Sequence, residues 1–215
     1  MKKSASDVFD KYCDEYEEWF DNHKCVYRSE IEAVRRFLPP RGTGIEIGVG
    51  TGRFSEPFGI RVGIEPAGGM ADIARRKGIA VYDARAESTP FGNNSFDFAL
   101  FVTVICFLGN PLEALREARR IIKPGGRIII GMIDRGSPLG RAYEHRKSES
   151  KFYRNARFRS VRQVIRWLQE LGCEHIETCQ TLFGDVIDIT SDEPVKDGYG
   201  EGGFVVISAR KKTAL

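Results

Sequence analysis

Ile45-Glu46-Ile47 runs directly into three glycines at alternate positions, Gly48, Gly50 and Gly52. Two β-branched residues flanking an acid read as a buried strand, and the glycines as a tight turn at its end. Glycine serves there because the backbone takes angles closed to other residues and a ligand can approach the main chain. A turn of this kind after the first strand of an α/β sheet is where nucleotide-like cofactors sit. Its spacing narrows the chemistry. A dinucleotide fingerprint wants glycine at the first, third and sixth positions, so that phosphate meets a helix N-terminus. Counting from Gly48, the sixth position is Arg53, and the third glycine has moved up to Gly52. Glu46 would repel a pyrophosphate but attract the ammonium of an amino-acid-like group. The turn is shaped for a cofactor with a positive end and no phosphate; the plainer reading is a strand-to-helix turn that binds nothing. Glu65 lies about twenty residues beyond the turn, where an acid accepts hydrogen bonds from ribose hydroxyls. A charged strand end in water would look the same.

Two aromatic stretches are the other candidates. Val8, Phe9, Tyr12, Tyr16, Trp19 and Phe20 recur at helical spacing opposite an acidic face, which on periodicity is a core-facing stripe. Between 134 and 159, Arg141, Arg146, Lys147, Lys151, Arg154, Arg157 and Arg159 are interleaved with Tyr143, Phe152, Tyr153 and Phe158. That pattern could hold an anionic or aromatic substrate by charge and cation–π contact, or be a solvated helix. No residue announces itself as a general base; Glu144, His145 and Asp134 are weak candidates.

Bulk properties exclude several classes. The length of 215 residues suits a single domain with a sizeable core. No apolar run is long enough to span a bilayer, and Met1-Lys2-Lys3-Ser4 leads into acidic sequence with no apolar leader. Cys13, Cys25, Cys106, Cys173 and Cys179 are odd in number and scattered, which reads as reduced thiols in a cytoplasm. The three histidines are far apart, so no metal centre is expected. A net charge of +3 is too small to argue for nucleic acid, and no Asn/Asp-Pro-Pro-Tyr motif follows the fourth strand.

The elements that must position these residues alternate. One helix is expected over Val8–Phe20. A second, with a Ser29/Glu32 capping box, ends at Pro39-Pro40. Both precede the first strand, so they pack on the sheet's edge or cover its cofactor end. Arg53–Gly59 reads as a short or distorted helix, Arg61–Pro66 as strand two, Met70–Lys77 as a helix, Ile79–Tyr82 as strand three and Phe96–Val102 as strand four. Asn110-Pro111-Leu112-Glu113 opens a helix that ends at Lys123-Pro124-Gly125-Gly126, before a strand over Arg127–Ile133. Ser160 and Gln163 cap a helix through Leu171, and strands near Ile176–Leu182 and Phe204–Ala209 finish the chain. Such alternation predicts a mostly parallel, doubly wound α/β sheet with helices on both faces. Phe101, Val102 and Thr103, at the end of strand four, are expected to face the crevice where open α/β sheets bind ligands.

Glu46-Ile47-Gly48-Val49-Gly50-Thr51-Gly52 resembles the first motif of the class I S-adenosylmethionine (SAM) dependent methyltransferases. Ala86-Glu87, a spacer, Pro90-Phe91 and Phe96-Asp97 resemble a later block, and Lys123-Pro124-Gly125-Gly126 the turn before strand five. Tyr16-Glu17-Glu18-Trp19-Phe20 resembles the Tyr-Asp-x-Trp-Phe element of small-molecule members. The matches keep their order from Tyr16 to Ile207.

The resemblance implies a Rossmann-like sheet of seven strands, the last antiparallel, with N-terminal lid helices. It implies cap helices over 1–40, a cofactor half over 41–133 and a substrate half over 134–215 of one domain. Tyr16 and Trp19 would close over SAM, with Glu46, Gly48, Gly50 and Gly52 at its amino-acid end. Glu65 would take the ribose, Arg85 and Ala86 the adenine, and Pro66, Met70, Glu87, Val102 and Thr103 would belong to the same cofactor site. The family places at position 85 a side chain that accepts from adenine, which Arg85 cannot do; the backbone contact through Ala86 survives. In this family the connection after strand five supplies part of the substrate cavity, so Tyr143, His145 and Tyr153 would contact the acceptor. The implied activity is methyl transfer to a small-molecule acceptor, with no nucleic-acid or membrane partner. A SAM-binding regulatory module without turnover and an NAD(P)-dependent oxidoreductase are the alternatives.

Overall fold

The structure, a computed structural model, describes residues 5–213. Met1-Lys2-Lys3-Ser4, read above for a leader, lies outside the described residues. The helices are α1 Ala5–Lys11, α2 Cys13–Asn22, α3 Lys24–Arg35, α4 Gly68–Arg76, α5 Pro111–Ile121, α6 Pro138–Arg146 and α7 Val161–Glu170. The strands are β1 Gly44–Ile47, β2 Val62–Ile64, β3 Ala80–Tyr82, β4 Phe96–Val102, β5 Ile122–Ile133, β6 Cys173–Thr181, β7 Lys196–Asp197 and β8 Phe204–Lys211. They form one sheet in the order β3-β2-β1-β4-β5-β8-β6-β7. From β3 through to β5 neighbours run parallel, while β8 lies antiparallel to both β5 and β6.

All seven expected strands are present, with the final strand antiparallel as expected. An eighth, β7, is added at the edge, too short to give a periodic signal. The chain leaves β1 toward β2 on one side and returns as β4 on the other, so the crevice at their C-terminal ends is the topological switch point.

Alternation along the strands distributes the core. Ala99 and Phe101 of β4 face the layer of α5 and α7, against Leu115, Ala118, Val164 and Leu168. Phe98, Leu100 and Val102 face the opposite layer, against Val26, Ile31 and Val34 of α3. Phe101 is therefore fully buried in the α5/α7 layer and does not face the crevice.

Several expected boundaries shift for identifiable reasons. The single helix expected over Val8–Phe20 is two, broken at Tyr12 (φ −121°, ψ 36°). α1 turns aside there to dock on α4, where the Asp10 carboxylate accepts from the Gly69 N–H at 2.6 Å. Ser29 does not start α3. It sits in mid-helix, its hydroxyl donating to the Cys25 carbonyl and accepting from the Glu193 N–H, each at 2.8 Å, so the apparent capping box is back-bonding to the preceding turn. Arg53–Gly59 is a run of turns rather than a helix. The caps at Asn110 and Ser160 form as expected, each accepting from the third residue on at 3.3 Å. β5 starts earlier than expected, at Ile122, directly after α5. No helix among the described residues is long and apolar enough to cross a membrane.

Candidate active site

The turn after β1 is held in a conformation that its three glycines make accessible. Gly48, Gly50 and Gly52 have φ of 72°, 53° and 83°, a region costly for residues with a Cβ. The N–H groups of Gly48 and Val49 donate to the Ile64 carbonyl at 2.9 and 3.0 Å, which ties the turn to β2. The three glycines then differ. A Cβ on Gly52 would stand 2.5 Å from Ile79 Cδ1, so Gly52 serves packing between the turn and the α4–β3 segment. One on Gly48 would strike Val104 at 2.4 Å, whereas one on Gly50 would meet nothing closer than Met70 at 3.7 Å and the Tyr16 hydroxyl at 3.8 Å. Gly48 and Gly50 line a cavity of about 650 Å³; Gly52 does not.

Glu65, just past β2, is fixed in that cavity by two backbone donors, Gly50 N–H at 3.0 Å and Ala67 N–H at 2.9 Å, one to each oxygen. Burial raises its pKa while those two bonds oppose the shift. A carboxylate has about four acceptor sites, so two remain for a diol. Glu46 behaves differently from the expectation. It is 2% exposed, lies off the cavity wall and accepts from the Ser55 hydroxyl at 2.5 Å. Burial pushes its pKa up to about 8. Its visible partner is Ser55, beneath the turn, rather than the space above it.

Farther along the wall lie Pro66, Met70, Ala84, Ala86, Glu87 and Leu108. The Ala86 N–H donates to no group among the described residues. Arg85 borders this end with a side chain 79% exposed, 3.7 Å from the Glu87 carboxylate. Val102 and Thr103 form the floor. Thr103 has a φ of 52°, unusual for a β-branched residue and a local strain of about 1–3 kcal/mol. It turns the chain out of β4 so that Val104 seats against Gly48 and Phe107 enters the cavity.

The other half of the cavity is aromatic. Phe9 of α1 packs edge-on to Phe107 (5.1 Å between centroids) and stacks on Phe152 (5.4 Å). Tyr153 stacks on Phe107 at 5.9 Å and meets Tyr143 at 5.2 Å. Tyr16 and Trp19 of α2 line the same space, and Trp19 stacks on His23 at 4.5 Å. A polar cluster fastens α2 over the glycine turn. Glu17 accepts from the Thr51 hydroxyl and, at 2.9 Å, from Arg53 Nε; Arg53 also reaches Asp21 at 3.1 Å. Burial works to raise the Glu17 pKa, but the bonds from Thr51 and Arg53, with Lys77 nearby, hold it below its ordinary value.

Of the residues expected to meet the acceptor, Tyr143 and Tyr153 line the cavity and His145 does not; it is exposed. On α6 and its C-cap the residues that line the cavity are Tyr143, Arg146 and Lys147, spaced i, i+3, i+4. That spacing would have rejected His145 from sequence. Glu144 is paired with Lys147 and lies off the cavity wall. Asp134 is buried, accepting from the Gly136 and Val161 N–H groups at 3.0 and 3.1 Å, which assigns it to shaping the loop after β5. Of the basic run, Arg141 donates to the Gly136 carbonyl and Lys151 pairs with Glu15; only Arg146 and Lys147 reach the cavity. Sequence reasoning missed Glu30 of α3, an acid 5% exposed that lines the aromatic half.

A SAM-sized group fits this wall by three features: two glycines without side chains, a carboxylate with spare acceptor sites, and an unused backbone N–H at Ala86. Comparison with known proteins bears on that fit. Residues 45–130 match the family described as methyltransferase domain. An uncharacterized protein of Methanocaldococcus jannaschii is 51% identical over 95% of this chain and 98% of its own length. A crystal structure from Thermotoga maritima, described as a SAM-dependent methyltransferase and possible histamine N-methyltransferase, is 48% identical. It superposes with a TM-score of 0.93 over 97% of this chain and all of that one. The Haemonchus contortus phosphoethanolamine N-methyltransferase 2, solved with S-adenosylhomocysteine, shares the fold at 16% identity, with a TM-score of 0.64 over 86% of this chain and 53% of its own.

Proposed function

The chain belongs to the class I SAM-dependent methyltransferases, and from that premise we propose that it methylates a small molecule held in the aromatic half of the cavity. Its cofactor is SAM, which when bound supplies a methyl group already activated by the sulfonium. The chain's own residues then have mainly to orient an acceptor in line with that group and keep water out.

The assignment of residues follows the wall. Gly48 and Gly50 let the cofactor approach the backbone, and Glu65 takes the ribose hydroxyls on its two free acceptor sites. The Ala86 N–H donates to adenine, and Glu87 supplies the acceptor that Arg85 cannot. Tyr16 and Trp19 cover the methionine end from above. Tyr143 and Tyr153 contact the acceptor. Glu46 acts through Ser55 on the shape of the turn.

One observation carries the small-molecule reading. The glycine turn and the aromatic chamber are parts of a single cavity of about 650 Å³, roofed by α1 and α2. That is within the range of sites for small ligands, and a roof fastened through Glu17 and Arg53 leaves little room for a polymer chain. The amine named for the Thermotoga relative is of a size such a chamber admits. The test is incubation of the enzyme and methyl-labelled SAM with a cell extract separated by ultrafiltration. Label in the low-molecular-weight fraction supports the proposal, and label confined to protein or nucleic acid refutes it.

A further inference from the structure

Glu30 is a buried acid with no visible reason to be one. It sits on α3, in the layer packed against Phe98, Leu100 and Val102, and is 5% exposed. Its carboxyl forms no hydrogen bond or ion pair with any described residue, and it lines the cavity. Burial alone pushes its pKa up to about 8, with no cationic side chain offsetting the shift. Tyr16 from α2, Tyr143 from α6 and Tyr153 from the 3₁₀ turn Tyr153–Asn155 line the same cavity, and each phenol feels its charge; the cations on that wall, Arg146 and Lys147, pair with Asp185 and Glu144. Burial, with the Glu30 charge contributing at each, keeps the phenols protonated. None of the three hydroxyls has a hydrogen-bond partner among the described residues either. Four polar groups with no partner among the described residues, brought from four separate segments, thus converge on one aromatic-walled space.

An unpaired buried carboxylate costs several kcal/mol, and packing here does nothing to recover it. A ligand can. What satisfies a carboxylate among aromatic faces and phenol oxygens is a cation carrying N–H donors. We propose that the methyl acceptor is an amine, bound as its ammonium between Glu30 and the Tyr16, Tyr143 and Tyr153 rings, and that Glu30 takes the proton freeing its lone pair. This rests on the methyltransferase reading of the same cavity and adds the acceptor class and the proton's destination. The ammonium N–H proton passes to the Glu30 carboxylate, leaving a neutral amine and a carboxylic acid. The nitrogen lone pair forms the new N–C bond to the methyl carbon as the C–S bond breaks, its electron pair staying on sulfur. The product leaves as an N-methylammonium, and Glu30 returns its proton to water when the cavity opens.

Calorimetry on the purified chain, with and without S-adenosylhomocysteine, tests this with paired probes: phenethylamine against phenethyl alcohol, and hexylamine against hexanol. Wild type is expected to bind at least one amine about tenfold or more tightly than its alcohol. Glu30→Gln should abolish that preference and Glu30→Asp retain part of it. Neither substitution should move the affinity for S-adenosylhomocysteine, which also reports that both variants are folded. Alcohols binding as well as amines, or a preference surviving in Glu30→Gln, overturns the assignment. Failure of S-adenosylhomocysteine to bind wild type would strike the cofactor reading instead, and the amine comparison without it still decides the role of Glu30.

Discussion

Glu30→Gln should make this protein more stable, by an amount that grows with pH. The carboxyl titrates at about 8 in the folded chain against an ordinary 4.5. A group raised in this way leaves the folded state holding a proton that the unfolded state has lost, so its stabilising contribution is full below pH 4.5 and drains away as pH rises to 8. Each pH step across that window is worth at most about 1.4 kcal/mol, for a ceiling of about 5 kcal/mol, and relaxation around the site brings the realistic figure nearer 2–4 kcal/mol. Glutamine keeps the shape and cannot ionise. The variant should match wild type near pH 4.5 and exceed it by about 2–4 kcal/mol at pH 8 and above. Glu46 also titrates at about 8, but it is common to both proteins and cancels in the difference. Urea unfolding of the pair at several pH values gives that difference directly. A difference that does not change with pH, or a wild type more stable than the variant at pH 8, would mean that Glu30 is not held protonated by its burial. A residue kept at such a cost is one whose use lies outside folding.

The glycines should separate by role. Gly52→Ala forces a Cβ to 2.5 Å from Ile79 at a φ of 83°, so it should lower stability by about 2 kcal/mol or more in thermal or urea unfolding. Gly50→Ala meets nothing closer than 3.7 Å, so it should cost only the backbone strain of its φ of 53°, about 1 kcal/mol, yet weaken S-adenosylhomocysteine about tenfold or more by narrowing the wall. Equal effects of the two on stability and binding would contradict the division. Glu17→Gln removes the charge-assisted bond that fastens α2 to the turn; partly exposed as the pair is, the loss is about 1–2 kcal/mol, read as a several-fold rise in the Kd for S-adenosylhomocysteine with a faster off-rate.

How much of this was legible in the sequence depended on how local the signal was. Gly48, Gly50, Glu65 and the stretch from Arg85 to Glu87 are each read from contiguous residues or one short interval, and the cavity brings them together. Glu46 was legible as an acid beside the turn, but which side of the strand's end it served depended on Ser55, whose turn has no periodic signature. Thr103 follows directly on the apolar run of β4, and nothing in its neighbours announces a φ of 52°. Glu30 was hidden most thoroughly. Lying between Ser29 and Glu32, which read as a capping box, it drew no reading of its own, and its meaning arises only when α3 brings it to the same cavity wall as Tyr143 and Tyr153, more than a hundred positions on. β7, two residues long, is set by its pairing with β6 at Cys179 and Gln180 and not by its own composition.

That the glycine turn and Glu65 hold SAM can be read from calorimetry. S-adenosylhomocysteine, SAM, NAD and NADP would be titrated into wild type and Glu65→Ala. SAM and S-adenosylhomocysteine should bind wild type and bind Glu65→Ala about tenfold or more weakly, through loss of the two ribose hydrogen bonds, and neither dinucleotide should bind. Dinucleotide binding, or S-adenosylhomocysteine binding indifferent to Glu65, would contradict SAM binding at the turn and Glu65.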